Sequence, residues 1–212
     1  MLNLFITYGS LVVGLAVSIL CIVTIIRTQL PLASQRITLA VFLFFIVDLI
    51  GFLLQEIKIN NVPYYNILMM VQSGFILKMS WNNISNRIHQ TVIWALLLLT
   101  LVFCIINITS WQGLYEFNNH SYLAICFKCG VTSYLLLHEL FSHPEIPPFK
   151  NPWCWFALAN MILYIGGIPV WTIYILIPAG ATLLYGLFSI ITALFIIWYL
   201  LLITGIIWTQ KK

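Results

Sequence analysis

Charge is what this chain lacks. Of its 212 residues 7% are charged, and five of those are acidic. Soluble domains carry roughly 25% charged residues, so this chain cannot clothe a water-facing surface. That excludes an ordinary soluble globular domain. The net charge of +4 comes from scattered basic residues with no aromatic-interleaved basic patch, which excludes nucleic acid as a partner. No polar segment is long enough for a separate soluble domain, so chemistry or sensing has to sit within helices or short loops. Cysteine is sparse. Cys21, Cys104, Cys126, Cys129 and Cys154 all fall in apolar runs and read as reduced packing residues rather than a disulfide frame. The N-terminal stretch has no basic region and no small-residue cleavage site, so it is not expected to be a cleaved signal peptide. A phosphate-binding loop, a serine-hydrolase elbow and paired carboxylates on one helix are all missing. No catalytic motif is intact and no cofactor is implied, which leans away from an enzyme.

What the chain has is apolar length: 62% hydrophobic and 15% aromatic residues. A helix crossing the hydrocarbon core needs about 20 mostly apolar residues. Seven segments qualify, at about 4–26, 37–55, 64–79, 91–108, 121–141, 153–169 and 183–208. The expected fold is all-α, a polytopic membrane protein made of one seven-helix bundle spanning residues 1–212. The stretch "IPVWTIYILIPAGA", from Ile168, is too apolar for an ordinary loop. With Pro169 and Pro178 in it, it either extends the sixth helix past a kink or lies in the membrane interface. Lysine and arginine in short loops set orientation. With the N-terminus outside and the C-terminus inside, Arg27, Arg36, Lys78, Arg87, Lys150, Lys211 and Lys212 lie inside and Lys58 alone lies in an outer loop.

Lys128 remains, within "LAICFKCGVTSYLLLHEL". A lysine at the centre of a membrane helix costs about 3 kcal/mol on insertion scales. Asp48, in "FLFFIVDLIGFLL" of the second segment, has the opposite sign. Counting along the helices puts Asp48 ~12 Å and Lys128 ~10 Å from their outer ends. Gln72 of the third segment falls at a similar depth. Intramembrane charges usually face the bundle interior and pair, so Asp48, Gln72 and Lys128 are the candidate ligand or ion-pair residues. Three readings stay open: a static pair that fixes packing, a ligand or ion pathway, and a Lys128 that snorkels outward alone.

A second polar group lies toward the inner face. His138 and Glu139 end the fifth segment and Lys78 ends the third, making a Glu139–Lys78 contact plausible. Asn160 and Tyr164 are four apart on the sixth segment, placed for hydrogen bonds between helices. "HELFSH" resembles a zinc-protease motif, but His138 and His143 are five apart and diverge by about 140° around a helix, so no metal site is expected. Cys126 and Cys129 in "CFKC" read as packing residues. The seven-helix count also suggests a retinal protein, yet the last segment carries no lysine for a Schiff base. Asn83, Asn107 and Asn119 begin glycosylation patterns.

Two stretches, "DLIGFLLQEIKINNVPYYNIL" and "FKNPWCWFALANMILYIGG", resemble a group of small seven-helix integral membrane proteins of Bacteroidetes. Asp48, Ile50, Gly51, Tyr65, Asn66, Pro152, Trp155, Phe156, Tyr164 and Gly166 carry the resemblance. It implies a fold rather than an activity, and with it the cytoplasmic (inner) membrane of a bacterium. Three functions then compete. A receptor- or sensor-like module would bind a small ligand from outside and signal through a membrane or cytoplasmic protein partner, since no output domain is seen. A small-solute or ion transporter or channel would use the same charges as a pathway. A structural or assembly subunit would use them for packing. Gly9, Gly14, Gly166 and Gly167 offer small faces for close helix contact, including in a homo-oligomer.

Overall fold

The computed structural model describes residues 2–27, 31–177 and 183–208. Seven long α-helices appear among them: α1 (Leu2–Arg27), α2 (Leu32–Glu56), α3 (Val62–Trp81), α4 (Arg87–Ile106), α5 (Asn119–Ser142), α6 (Pro152–Leu176) and α7 (Leu183–Trp208). One π-helical turn, Asn107–Trp111, continues α4, and a 3-10 turn, Pro148–Lys150, precedes α6. Five of these helices are long and apolar enough to cross a membrane: Leu32–Glu56, Arg87–Trp111, Asn119–Ser142, Pro152–Leu176 and Gly186–Trp208. The chain is all-helical over its described residues and has the build of an integral membrane protein.

Local chemistry sets the helix ends. The Asn86 side chain accepts from the backbone N–H groups of Ile88 and His89, which starts α4 before the apolar run begins. Asn151 caps Trp153 N–H with Pro152 in the first turn of α6. α2 closes on Lys58, whose φ of 59° is left-handed. Ile59 N–H there returns to Leu54 C=O and Lys58 N–H to Gln55 C=O. α6 does not stop near Pro169. It runs through to Leu176, which settles the first part of the ambiguous stretch as helix. Residues 178–182, Lys211 and Lys212 lie outside the described residues, as do the side chains of Cys21 and Arg27.

Packing is inside-out relative to a soluble protein. α4 turns Trp94, Leu98, Leu99, Val102 and Ile105 outward, while Ser34, Thr38, Ser73, Asn107, Thr132 and Asn160 are buried. Lipid tails accept the first set; of the second, Asn160 and Ser73 make hydrogen bonds to a neighbouring helix. α6 is the central post, packed on α5 and α7 more extensively than any other pair of helices. α1 and α2 lie on the α7 side, and α3 and α4 on the α5 side. α2 touches α3 over a short length, so a seam runs between the two groups. The glycines serve these contacts within the chain. Gly14 faces Phe45 of α2 and Tyr199 of α7, and Gly166 and Gly167 face Leu194 and Cys126.

Candidate functional site

Asp48 lies on α2 at the seam, half-buried. Its carboxyl accepts from Tyr199 Oη of α7 at 3.4 Å, a long hydrogen bond. Tyr64 donates to the Val47 carbonyl, one residue away, at 2.8 Å. Tyr65 closes on Gly51, one turn above Asp48, where a methyl group would overlap the phenol. Tyr199 of α7 and Tyr64 and Tyr65 of α3 are thus the tyrosines brought to this stretch of α2.

Lys128 lies elsewhere. It is 2% exposed, and its Nζ donates to Ser73 Oγ of α3 at 2.8 Å. A crevice of about 20 Å³ beside it, lined by Met70, Ser73, Leu97, Thr100, Cys104 and Ile125, has room for one water. Among the described residues no ion pair joins Asp48 to Lys128, which corrects the expected pairing. The reason is azimuth. Cys126 faces Gly167 of α6, and Lys128 lies about 200° further round α5. It therefore looks toward α3 and α4 while Tyr122, just over a turn before Cys126, packs on Trp171 of α6. A similar count from the helix ends did not bring the charges together because Lys128 turns to Ser73 of α3 and Asp48 to Tyr199 of α7. Gln72 is half-buried beside Ser73 and makes no hydrogen bond among the described residues, so it does not bridge them either.

The other candidates resolve into structural roles. Glu139 does not meet Lys78. Its Oε1 accepts from Ser85 N–H at 3.1 Å, from Ser85 Oγ and from Asn86 N–H at 3.2 Å. Its Oε2 lies 3.3 Å from His89 Nδ1, off the line of a hydrogen bond but within ion-pair distance. A carboxylate thus sits at the N-terminus of α4, where backbone N–H groups and the helix dipole favour it. The His138 ring packs edge-on against His89, with centroids 5.4 Å apart. Lys78 lies over the Trp81 ring at 4.5 Å. Asn160 accepts from Trp198 Nε1 of α7 at 3.0 Å and donates to Phe156 C=O at 2.9 Å, the interhelical link its position suggested. Tyr164 does not share in that link.

Several residues of these clusters escaped the sequence reading. Tyr199 is 151 positions from Asp48. A tyrosine buried amid "FIIWYLLLI" was the available signal. Ser73 stands next to Gln72 and was passed over because serine is common in membrane helices. A buried asparagine network at the α4–α5 loop was also missed. Asn66 donates to the Leu114 and Glu116 carbonyls at 2.9 and 2.8 Å. Asn107 Nδ2 contacts Gln112, Asn118 and Ser121 at 2.9, 3.0 and 2.9 Å. The π-helical turn that begins at Asn107 widens the end of α4 into this network.

No family model, curated protein or solved structure matches the chain.

Proposed function

We propose that this is a receptor- or sensor-like module of the bacterial cytoplasmic membrane, with seven spans, the N-terminus outside and the C-terminus inside. Asp48 is its responsive site and a membrane or cytoplasmic protein partner carries the output. One observation bears the reading: an acidic side chain on α2, bonded by Tyr199 of α7 and flanked by Tyr64 and Tyr65 of α3 at Val47 and Gly51, with no basic side chain paired to it among the described residues. Intramembrane ionisable groups that are not spent on pairing mark functional sites. The two competing readings lose support. The packing role rested on an Asp48–Lys128 pair. The transporter reading uses the same charges as a pathway, and the broken helix that would favour it is not found in α6, which continues through Pro169. The bilayer placement draws on the excess of Arg36, Lys78, Arg87 and Lys150 at one end over Lys58 at the other, and the bacterial membrane on the resemblance.

Hydrogen exchange in lipid nanodiscs tests this. Titrating protons or cations from the outer side should change exchange in the inner loops, 82–86 and 143–151, and Asp48→Asn should abolish the change. Solute flux through liposomes that depends on Asp48, or inner loops indifferent to every condition, would sink the sensor reading.

A further inference from the structure

We infer that Lys128 holds a chloride ion in the crevice between α3, α4 and α5. The site is separate from Asp48, and the inference goes beyond the sensor reading without resting on it. The first argument is an unbalanced charge. Lys128 is 2% exposed, and its ammonium carries three donors. One of them reaches Ser73 Oγ at 2.8 Å. The Ser73 hydroxyl proton is itself spent on Met70 C=O at 2.9 Å, so Ser73 is a neutral acceptor and leaves the charge uncompensated. The ion pair found among the described residues joins His89 to Glu139, ~16 Å further along α5. A buried charge calls for a counter-charge.

The second argument is the crevice itself. Lys128 is part of its wall, and its volume of about 20 Å³ holds one small particle. A water there would satisfy a donor but bring no charge. A monatomic anion supplies acceptor and counter-charge together. Chloride is little larger than water, whereas sulfate and other polyatomic anions do not fit. Thr100 of α4 also lines the crevice, is 8% exposed, and makes no hydrogen bond among the described residues. Its hydroxyl is the second donor to the ion. Met70, Leu97 and Ile125 make much of the remaining wall apolar, where attraction between ammonium and anion is poorly screened.

The third argument is a way in. Asn66 of α3, Asn107 of α4 and Ser121 of α5 stand seven positions from Ser73, Thr100 and Lys128 in turn. That spacing is about two turns, ~10 Å, and returns to nearly the same helix face. All three belong to the polar network at the loop end. Asn107 Nδ2 contacts Asn118 and Ser121, and Asn118 N–H donates to Asn66 Oδ1 at 3.3 Å. The network therefore stands two turns beyond the crevice on each of the three helices, with Cys104 between them on α4. An ion coming from the loop side meets amide and hydroxyl donors before it meets Lys128.

The test uses the purified whole chain in detergent, brought into sodium gluconate. Chloride, bromide and sulfate are titrated in at constant ionic strength, and Tm and the chloride NMR line width are read. Chloride and bromide should raise Tm saturably. The protein should broaden the chloride line, and excess bromide should narrow it again. Lys128→Met should remove both responses. Thr100→Val, which keeps the shape, should weaken the apparent affinity by about 3- to 10-fold, and Thr100→Ser should restore it. Lys78→Gln, which removes an exposed ammonium at the Trp81 ring, should leave the affinity as in wild type. If Lys128→Met does not fold, the two Thr100 variants decide. No saturable chloride response in wild type overturns the site and leaves a water in the crevice. An equal response to sulfate marks a general salt effect and overturns it too. So does a chloride affinity that survives Lys128→Met or is untouched by Thr100→Val, since the ion then binds elsewhere.

Discussion

Lys128 reaches across from α5 and donates to Ser73 Oγ of α3 at 2.8 Å, and that hydroxyl is its sole hydrogen-bond acceptor among the described residues. A buried ammonium with one acceptor depends on it heavily, because an unsatisfied charged donor in low dielectric carries its full desolvation cost. Ser73→Ala should therefore destabilise the protein by about 2–3 kcal/mol. In a Lys128→Met background the same change should cost under ~1 kcal/mol. Denaturation of the four proteins in detergent measures the coupling. The parallel cycle of Asp48→Asn and Lys128→Gln should show none beyond ~0.5 kcal/mol, since the two side chains share no contact.

Glu139 ties the start of α4 to the end of α5 through the Ser85 and Asn86 N–H groups. Glu139→Ala leaves those donors without their acceptor and should cost about 2–3 kcal/mol. Glu139→Gln keeps an oxygen acceptor and loses only the charge at the helix N-terminus, so about 0.5–1 kcal/mol is expected. Chemical denaturation ranks the three proteins. Equal losses for the two variants would mean that charge, rather than hydrogen bonding, holds this junction.

These two junctions show where the sequence is legible. Apolar run length marked the segments in which the seven long α-helices of the described residues lie, and five of these are long and apolar enough to cross a membrane. It placed Asp48 and Lys128 in their helices and marked Asn160 as an interhelical link. Rotation about each axis is set by packing between distant segments, and a single sequence does not carry it. The third and fifth segments were therefore expected to bring Glu139 to Lys78, whereas Glu139 turns to the loop that follows Lys78. Pro169 left two readings open, and α6 takes the one that extends past it. The ring removes one backbone donor, yet α6 continues, packed between α5 and α7, and Thr172 bonds its hydroxyl to Ile168 C=O at 2.8 Å just beyond. The asparagine network was invisible because its members lie on α3, α4 and the α4–α5 loop, with no shared motif.

That network makes its own prediction. Asn66 Nδ2 holds the Leu114 and Glu116 carbonyls. Asn66→Ala should cost about 2 kcal/mol and raise hydrogen exchange across residues 114–118. Asn66→Asp keeps the volume but cannot donate to either carbonyl, so it should be at least as damaging. Asn107 should remain unglycosylated in a eukaryotic secretory host, because its amide is fully buried among Gln112, Asn118 and Ser121. A glycan detected at Asn107 by mass spectrometry would show that this loop opens.

Lys58 offers a stabilising change. It ends α2 in the left-handed region, φ 59°, where a Cβ crowds the following carbonyl at a cost of about 1–2 kcal/mol. The two return hydrogen bonds, Ile59 to Leu54 and Lys58 to Gln55, need that conformation, so the chain bears the strain to close the helix. Lys58→Gly should raise stability by about 1 kcal/mol, less the added freedom of the unfolded chain. Lys58→Ala removes the same charge but keeps the Cβ and should be neutral. Comparing the two in one denaturation series separates backbone strain from loss of the lysine, and equal stability of the two variants would show that no strain is stored there.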